Sequence, residues 1–171
     1  EPLAIPPGVG ITGTATVSGY NEVNVAAGSL QGTWFAGKGN GRIGLLRMNG
    51  TQADFQLPNA LEDIRTLAVD PTGEFAAYLD VGNQTFGYIV RATNQVTEYT
   101  PTSTLPRPVF FFDTNVIYAP YTGNFYAPVQ KSDRLVSFGP NIQPFDIGFP
   151  AGTLPFNVGA TKAGIEVSTV S

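Results

Sequence analysis

The sequence predicts an all-β protein made of repeated four-stranded antiparallel meander sheets. Three observations carry this. Helical patterning is nearly absent. Short runs rich in β-branched and aromatic residues recur between turn-forming residues. The pattern also returns at a near-constant spacing. Gly (20) and Pro (14) make up one residue in five of the 171, while 42% of residues are hydrophobic, enough for a core and too many for a disordered linker.

The clearest unit runs from Ile64 to Thr100. Ile64–Val69 alternates as a half-buried strand does, and Asp70-Pro71-Thr72-Gly73 has the proline and glycine placement of a type I turn. Glu74–Asp80, Thr85–Arg91 and Gln95–Thr100 follow as strands, separated by Val81-Gly82-Asn83 and Ala92-Thr93-Asn94. The preceding unit has the same form: Thr33–Ala36, a Gly-rich turn at Gly37–Gly41, Arg42–Met48, the hairpin signal Asn49-Gly50, and Gln52–Leu57. Phe35 and Tyr78, Gly44 and Gly87, Gln52 and Gln95, and Pro58 and Pro101 all lie 43 residues apart.

A third unit reads as Pro108–Phe112, Val116–Ala119, Phe125–Gln130 and Arg134–Phe138, with Tyr118 placed 40 residues after Tyr78. A repeat of about 40–43 residues is the size of a propeller blade. Even strand spacing also fits a β-sandwich or barrel, which stands as the alternative. The one helix candidate, Asn59–Arg65, is too short to stand alone. The first thirty residues offer strands at Thr14–Val17 and Glu22–Val25, and the tail offers Ile165–Val170. The chain reads as a single all-β domain, 1–171, with the Pro/Gly-rich segments 1–14 and 142–171 as extended arms.

Charge bounds the function. Only 13% of residues are charged, against roughly 25% in an average domain. Such a neutral surface suits lasting contact with neighbours, since little charge must be desolvated. It equally suits a secreted domain. Net charge is −4, and the nine basic residues are scattered, so direct nucleic-acid binding is not expected. The longest apolar run, Val109–Phe112, is far short of the roughly 18 residues of a membrane span. Glu1–Pro7 lacks the basic start of a signal peptide.

The chain has neither Cys nor His. Disulfides, thiol nucleophiles, the commonest general base and the usual transition-metal ligands are therefore missing. Gly37-Lys38-Gly39 lacks the spacing of a phosphate-binding loop and reads as a hairpin loop. Asp70, Asp80, Asp113 and Asp133 fall at turns or strand ends, where carboxylates accept backbone hydrogen bonds. Glu62-Asp63 reads as a solvated cap. Asp70, Thr72 and Glu74 place oxygens at alternate positions, as calcium sites do, yet Pro71 and Gly73 already account for a turn. Phe110, Phe112, Tyr118, Phe125 and Tyr126 could stack against sugars but read as core. Asn49-Gly50-Thr51 and Asn83-Gln84-Thr85 match the glycosylation acceptor pattern.

Two resemblances arise. Trp34-Phe35-Ala36, Gly41-Arg42-Ile43-Gly44, Gly50-Thr51 and Phe55-Gln56-Leu57-Pro58 look like a blade of the virginiamycin B lyase type of propeller. Those enzymes use a His and a metal, and this chain has no His, so that likeness implies architecture and not activity. Ile5-Pro6-Pro7-Gly8-Val9, Leu67-Ala68-Val69, Gly87-Tyr88-Ile89-Val90, Phe111-Phe112-Asp113 and Tyr121-Thr122-Gly123-Asn124-Phe125-Tyr126 are similar in style to the adaptor or nozzle propellers of short-tailed bacteriophage tails.

The second resemblance implies a non-enzymatic virion component, of tail or capsid surface, that packs against copies of itself and other virion proteins. The alternative is an extracellular β-repeat module that binds a glycan or protein. No residue is assigned as catalytic, cofactor-binding or metal-ligating, and no cofactor or membrane insertion is expected.

Overall fold

The computed structural model describes residues 18–20, 22–39, 41–58, 63–99, 115–129 and 133–169. Fourteen strands fall into three four-stranded antiparallel meanders and one hairpin. Sheet one is β1 (Val25–Ser29), β2 (Gly32–Ala36), β3 (Arg42–Arg47) and β4 (Gln52–Gln56). Sheet two is β5 (Ile64–Val69), β6 (Phe75–Asp80), β7 (Thr85–Val90) and β8 (Gln95–Tyr99). Sheet three is β9 (Ile117–Ala119), β10 (Asn124–Val129), β11 (Arg134–Gly139) and β12 (Ile142–Gly148). The hairpin is β13 (Pro155–Thr161) and β14 (Gly164–Thr169).

The sheets stack face to face because each side-chain row must find an apolar partner. Trp34, Ile43, Leu45 and Phe55 of sheet one meet Ile64, Leu67, Tyr78 and Ile89 of sheet two, with Trp34 stacked on Phe55 at 4.9 Å. The opposite row of sheet two, including Leu79, Phe86 and Tyr88, meets Phe125, Val129, Val136 and Phe138 of sheet three. Sheet two is thus buried on both faces, which is why β6 and β7 are apolar runs and not alternating strands. The far face of sheet three supplies Ala119, Tyr126 and Leu135 to a third cluster with Val158, and Ile165 and Val167 of the hairpin pack against it.

The first strands of successive sheets, β1, β5, β9 and β13, pack side by side along one edge of the stack. Each chain crossing runs from the outermost strand of one sheet to the innermost strand of the next. This is the blade arrangement, and it sets aside the sandwich or barrel alternative. The turn between the first two strands ends on a positive-φ glycine in all four units: Gly32, Gly73, Gly123 and Gly164. Ser29, Asp70 and Thr161 open three of these turns, each accepting a backbone N–H two residues on. The hairpin therefore repeats the first two strands of the other units.

Four expectations are corrected. The segment from residue 142 onward is not an arm: β12 completes sheet three and β13–β14 form the hairpin. The third unit accordingly takes its fourth strand from Ile142–Gly148; Pro108–Phe112 lie outside the described residues, as do Thr14–Val17 and the 1–14 arm. The end of the helix candidate, Ile64 and Arg65, is strand β5. At the start, β1 lies at Val25–Ser29, so the Glu22–Val25 expectation meets it only at Val25.

Candidate functional site at the two-stranded sheet

The carboxylates singled out by sequence serve the turns. Asp70 accepts the Phe75 N–H at 2.7 Å and the Thr72 N–H at 3.1 Å, and takes the Thr72 hydroxyl as well. Glu74 turns to Arg91 at 2.7 Å and to the Ala92 N–H at 2.8 Å, so Asp70, Thr72 and Glu74 do not converge on one point. Asp80 is fully buried and accepts from the backbone of Asp63, Gly82 and Asn83 and from the Asn83 carboxamide. Asp63 pairs with Arg65 at 2.6 Å, and its backbone bridges to Lys38. Asp133 accepts from the Leu154 and Gly152 N–H groups, both at 2.8 Å, and these bonds hold its carboxyl below the usual range. Asp113 and Glu62 lie outside the described residues.

The remaining candidates are equally occupied. Tyr118 and Phe125 form a tilted pair at 5.3 Å in the second core, and Tyr126 is buried in the third. They form no open platform. Phe110 and Phe112 lie outside the described residues. The Asn49 carboxamide oxygen accepts the Thr51 N–H and hydroxyl, and the Asn83 amide donates to Asp80 at 2.6 Å. No group of three Asp or Glu among the described residues could hold a metal ion.

Asn115, which sequence reasoning passed over, joins the inner strands together with Val116, the first residue of an expected strand. The Asn115 carboxamide donates to the Val158 carbonyl at 2.8 Å and accepts the Val158 N–H at 2.9 Å, standing in for one residue of a strand beside β13. The next residue, Val116, donates its N–H to Thr66 Oγ1 on β5 at 3.1 Å. The only signal in the sequence was an Asn before an apolar run, which reads as a turn.

The surface left unsatisfied is at the hairpin. Sheets one to three have four strands, and this one has two. Among the described residues no strand pairs with the outer edge of β14. On β12, Phe145 and Ile147 are 49% and 36% exposed. They lie opposite Ser137 and Leu135, on the face of sheet three that packs against the hairpin. Phe55, on the outermost strand of sheet one, is only 2% exposed beneath a complete neighbouring sheet.

At the other end of the stack the outer face of sheet one is polar. Tyr20 sets its ring edge-on to Phe35 at 4.8 Å, under the Arg42 guanidinium, and donates to Asp54 at 3.2 Å. Burial first, then Asp54, pushes the Tyr20 hydroxyl well above its ordinary value. The same arrangement recurs inside the stack, where Tyr78 donates to Glu98 at 3.0 Å.

Tyr99 gives a pH prediction. Burial, then the adjacent Tyr88, raises it to about 12. An unfolded tyrosine ionises near 10, so its contribution to stability is intact below about pH 10 and is lost as pH rises from 10 to 12. Denaturation series at stepped alkaline pH, with tyrosinate absorbance followed in parallel, should show stability falling across that window. The fall should be smaller in Tyr99→Phe.

No protein-family model matches this chain, and no curated protein matches it in sequence. Solved structures do match in fold. A streptogramin B lyase superposes over 86% of this chain and 48% of its own, at 14% identity and a TM-score of 0.65. Virginiamycin B lyase from Staphylococcus aureus superposes over 85% and 49%, at 14% identity and 0.62. The dihydro-heme d1 dehydrogenase NirN, in complex with DHE, superposes over 86% and 33%, at 14% identity and 0.65. The chain thus spans about half the length of the first two.

The expectation that the protein is not an enzyme is corrected by these matches. By their names the neighbours are enzymes, so this architecture carries no argument against catalysis. None of the three is a tail protein, and the phage side of the resemblance gains nothing from them. At such identity the likeness is one of fold alone. What it establishes is that the chain is all-β and propeller-like, with the lyase-type architecture that its repeated sheets suggest.

Proposed function

We propose that this chain is a self-assembling structural unit, acting through protein–protein contacts with copies of itself and with other proteins of a larger particle. The observation that supports this reading is the two-stranded sheet β13–β14, against whose outer strand no described strand pairs, together with the exposed Phe145 and Ile147 on the neighbouring sheet. An exposed flat edge is a template for another chain, and a folded protein either blunts it or uses it. The few charges on this surface support use in assembly, because little need be desolvated. A tailed-phage virion is the setting suggested by the sequence resemblance.

Light scattering with electron microscopy of the purified 171-residue protein tests the reading. Defined multiples of 18.1 kDa, seen as rings or symmetric clusters, are expected. A monomer that stays monomeric on concentration overturns it.

A further inference from the structure

We infer that one end of the stack docks on an anionic lipid surface, with Leu30, Met48 and Tyr121 entering the interface and Arg47 and Lys162 meeting the headgroups. The contact is shallow and is not a span, and it stands apart from the assembly reading.

The topology brings these residues to one end. In a meander the first and third turns lie together, so the β1–β2, β3–β4, β5–β6, β7–β8, β9–β10, β11–β12 and β13–β14 turns share an end wherever the sheets are aligned. Contacts between sheets align them. The Leu30 N–H donates to the Pro71 carbonyl at 3.2 Å, joining the first turns of sheets one and two. Val116, just before β9, donates to Thr66 near the start of β5. Burial, then the charge of Asp70 just beyond the end of β5, raises the Tyr118 hydroxyl, so β9 and β5 run the same way. Leu154, which leads into β13, donates to Asp133 in the β10–β11 turn at 2.8 Å. β13 thus starts from the far end, and its turn returns to this one.

The three most exposed large hydrophobic side chains among the described residues are all here: Leu30 at 78%, Met48 at 70% and Tyr121 at 66%. Each sits on a turn. The Met48 and Tyr121 turns are closed internally, which lowers the cost of bringing backbone to a dry surface. The Gly50 N–H bonds the Arg47 carbonyl at 2.9 Å, and the Thr122 and Gly123 N–H groups bond the Ala119 carbonyl at 3.2 and 2.9 Å.

Charge points to an anionic partner. Arg47 and Lys162 are exposed at this end, and neither is in an ion pair among the described residues. The acids in these turns are Asp70 and Glu74. Asp70 is buried in its own turn's hydrogen bonds, and Glu74 pairs with Arg91. Glu22, Asp63, Asp80 and Asp133 gather at the opposite end.

The spacing of the tips favours lipid over protein. Leu30 and Met48 crown the two turns of sheet one and Tyr121 belongs to sheet three, with Pro71 and Thr72 of sheet two between them. A protein partner would need separate pockets at matching distances, whereas a fluid acyl boundary takes side chains wherever they fall. Tyrosine is enriched at that boundary, and Arg and Lys lay their stems on apolar surface while the charge stays among headgroups.

Flotation tests this with vesicles of phosphatidylcholine alone and of phosphatidylcholine mixed with phosphatidylglycerol. The wild-type chain should bind the mixed vesicles, and less as salt is raised. Leu30→Ser with Met48→Ser should weaken binding at least about tenfold. Arg47→Gln with Lys162→Gln should weaken it about fivefold for each charge. Val23→Ser with Leu154→Ser, at the opposite end, should leave it unchanged. All of these positions are exposed, so circular dichroism should not change. In Tyr121→Trp, brominated lipid should quench a fluorescence that it does not quench in the wild-type chain, whose single Trp34 is fully buried.

Binding that survives loss of the apolar tips is adsorption by charge alone and overturns the inference, as does equal loss in the opposite-end pair. A wild-type chain that ignores both vesicles also overturns it. If that chain forms multimers that Leu30→Ser with Met48→Ser breaks, this end is a protein contact and the assembly reading stands without the lipid. A monomer that binds mixed vesicles through these tips supports the inference and overturns only the assembly reading.

Discussion

Replacing Asp80 with Ala is expected to destabilise the protein by about 3–5 kcal/mol, a large part of the roughly 5–15 kcal/mol that holds a domain together. Asp80 ends β6 with no exposed surface. One carboxylate oxygen gathers three backbone donors: Gly82 at 2.9 Å, Asp63 at 3.0 Å and Asn83 at 3.2 Å. The other takes the Asn83 amide at 2.6 Å. Removing the carboxylate leaves these donors in a site that water reaches poorly, and each unsatisfied group costs about 1–3 kcal/mol. The sum is reduced where the loop relaxes. Asp63 belongs to the crossing into sheet two and Gly82 to the β6–β7 turn, so one side chain fixes two loops at the same end of the stack. Asp80→Asn keeps the first oxygen and should cost less than half as much. Equilibrium denaturation of the two variants checks this. A cost below about 1 kcal/mol for the Ala variant would show that the loops hold without the carboxylate.

The repeat was legible where it follows cross-strand pairs. Phe35 pairs with Gly44 and Tyr78 with Gly87, so both 43-residue matches mark the same two places in successive sheets. Gln52 and Gln95 also begin equivalent strands, yet they are not equivalent in pairing: Leu46 faces Gln52, whereas Ile89 faces Val96. The β7–β8 turn takes one more residue, and a slip of one turns a side chain to the other face. The match of Tyr78 to Tyr118 joined different strands, β6 and β9. The second strands of sheets two and three begin at Phe75 and Asn124, a longer interval, because more residues separate β8 from β9 than β4 from β5.

The tail was misread on composition. Pro144 lies in β12 where the register shifts between Ser137 and Gly139, and Pro155 is the first residue of β13; both are places where a strand tolerates proline. The turn pattern that ends on Gly32, Gly73, Gly123 and Gly164 was the available signal for a fourth unit. That no described strand pairs with the outer edge of β14 could not be read at all. Ile165 and Val167 alternate with polar residues as any half-buried strand does, and nothing in such a pattern records whether a third strand follows.

Gly87→Val is expected to cost about 3 kcal/mol or more, the upper range for overpacking a buried site. Gly87 lies in the middle of β7, with the Tyr78 ring across from it. A Cβ there would stand 2.5 Å from the Thr97 carbonyl oxygen and 2.7 Å from the Tyr78 hydroxyl. The first neighbour is backbone in the paired strand β8, and it cannot withdraw without breaking the ladder. The second belongs to a fully buried tyrosine whose hydroxyl donates to Glu98. Gly44 holds the corresponding place in sheet one, but there the atoms nearest a Cβ all belong to the Phe35 ring. That ring is buried beneath Tyr20 at the end of the stack, where no paired backbone stands against the new Cβ, so Gly44→Ala should cost less than Gly87→Ala. Adding Tyr78→Leu to Gly87→Ala should return part of the loss, since the smaller side chain vacates the space over Cα. The Thr97 carbonyl contact would remain, so the rescue should be incomplete. Melting curves of the two Ala variants and the double variant decide it. Equal costs at Gly44 and Gly87 would mean that the two glycines serve only strand flexibility and not the passage of a ring across the sheet.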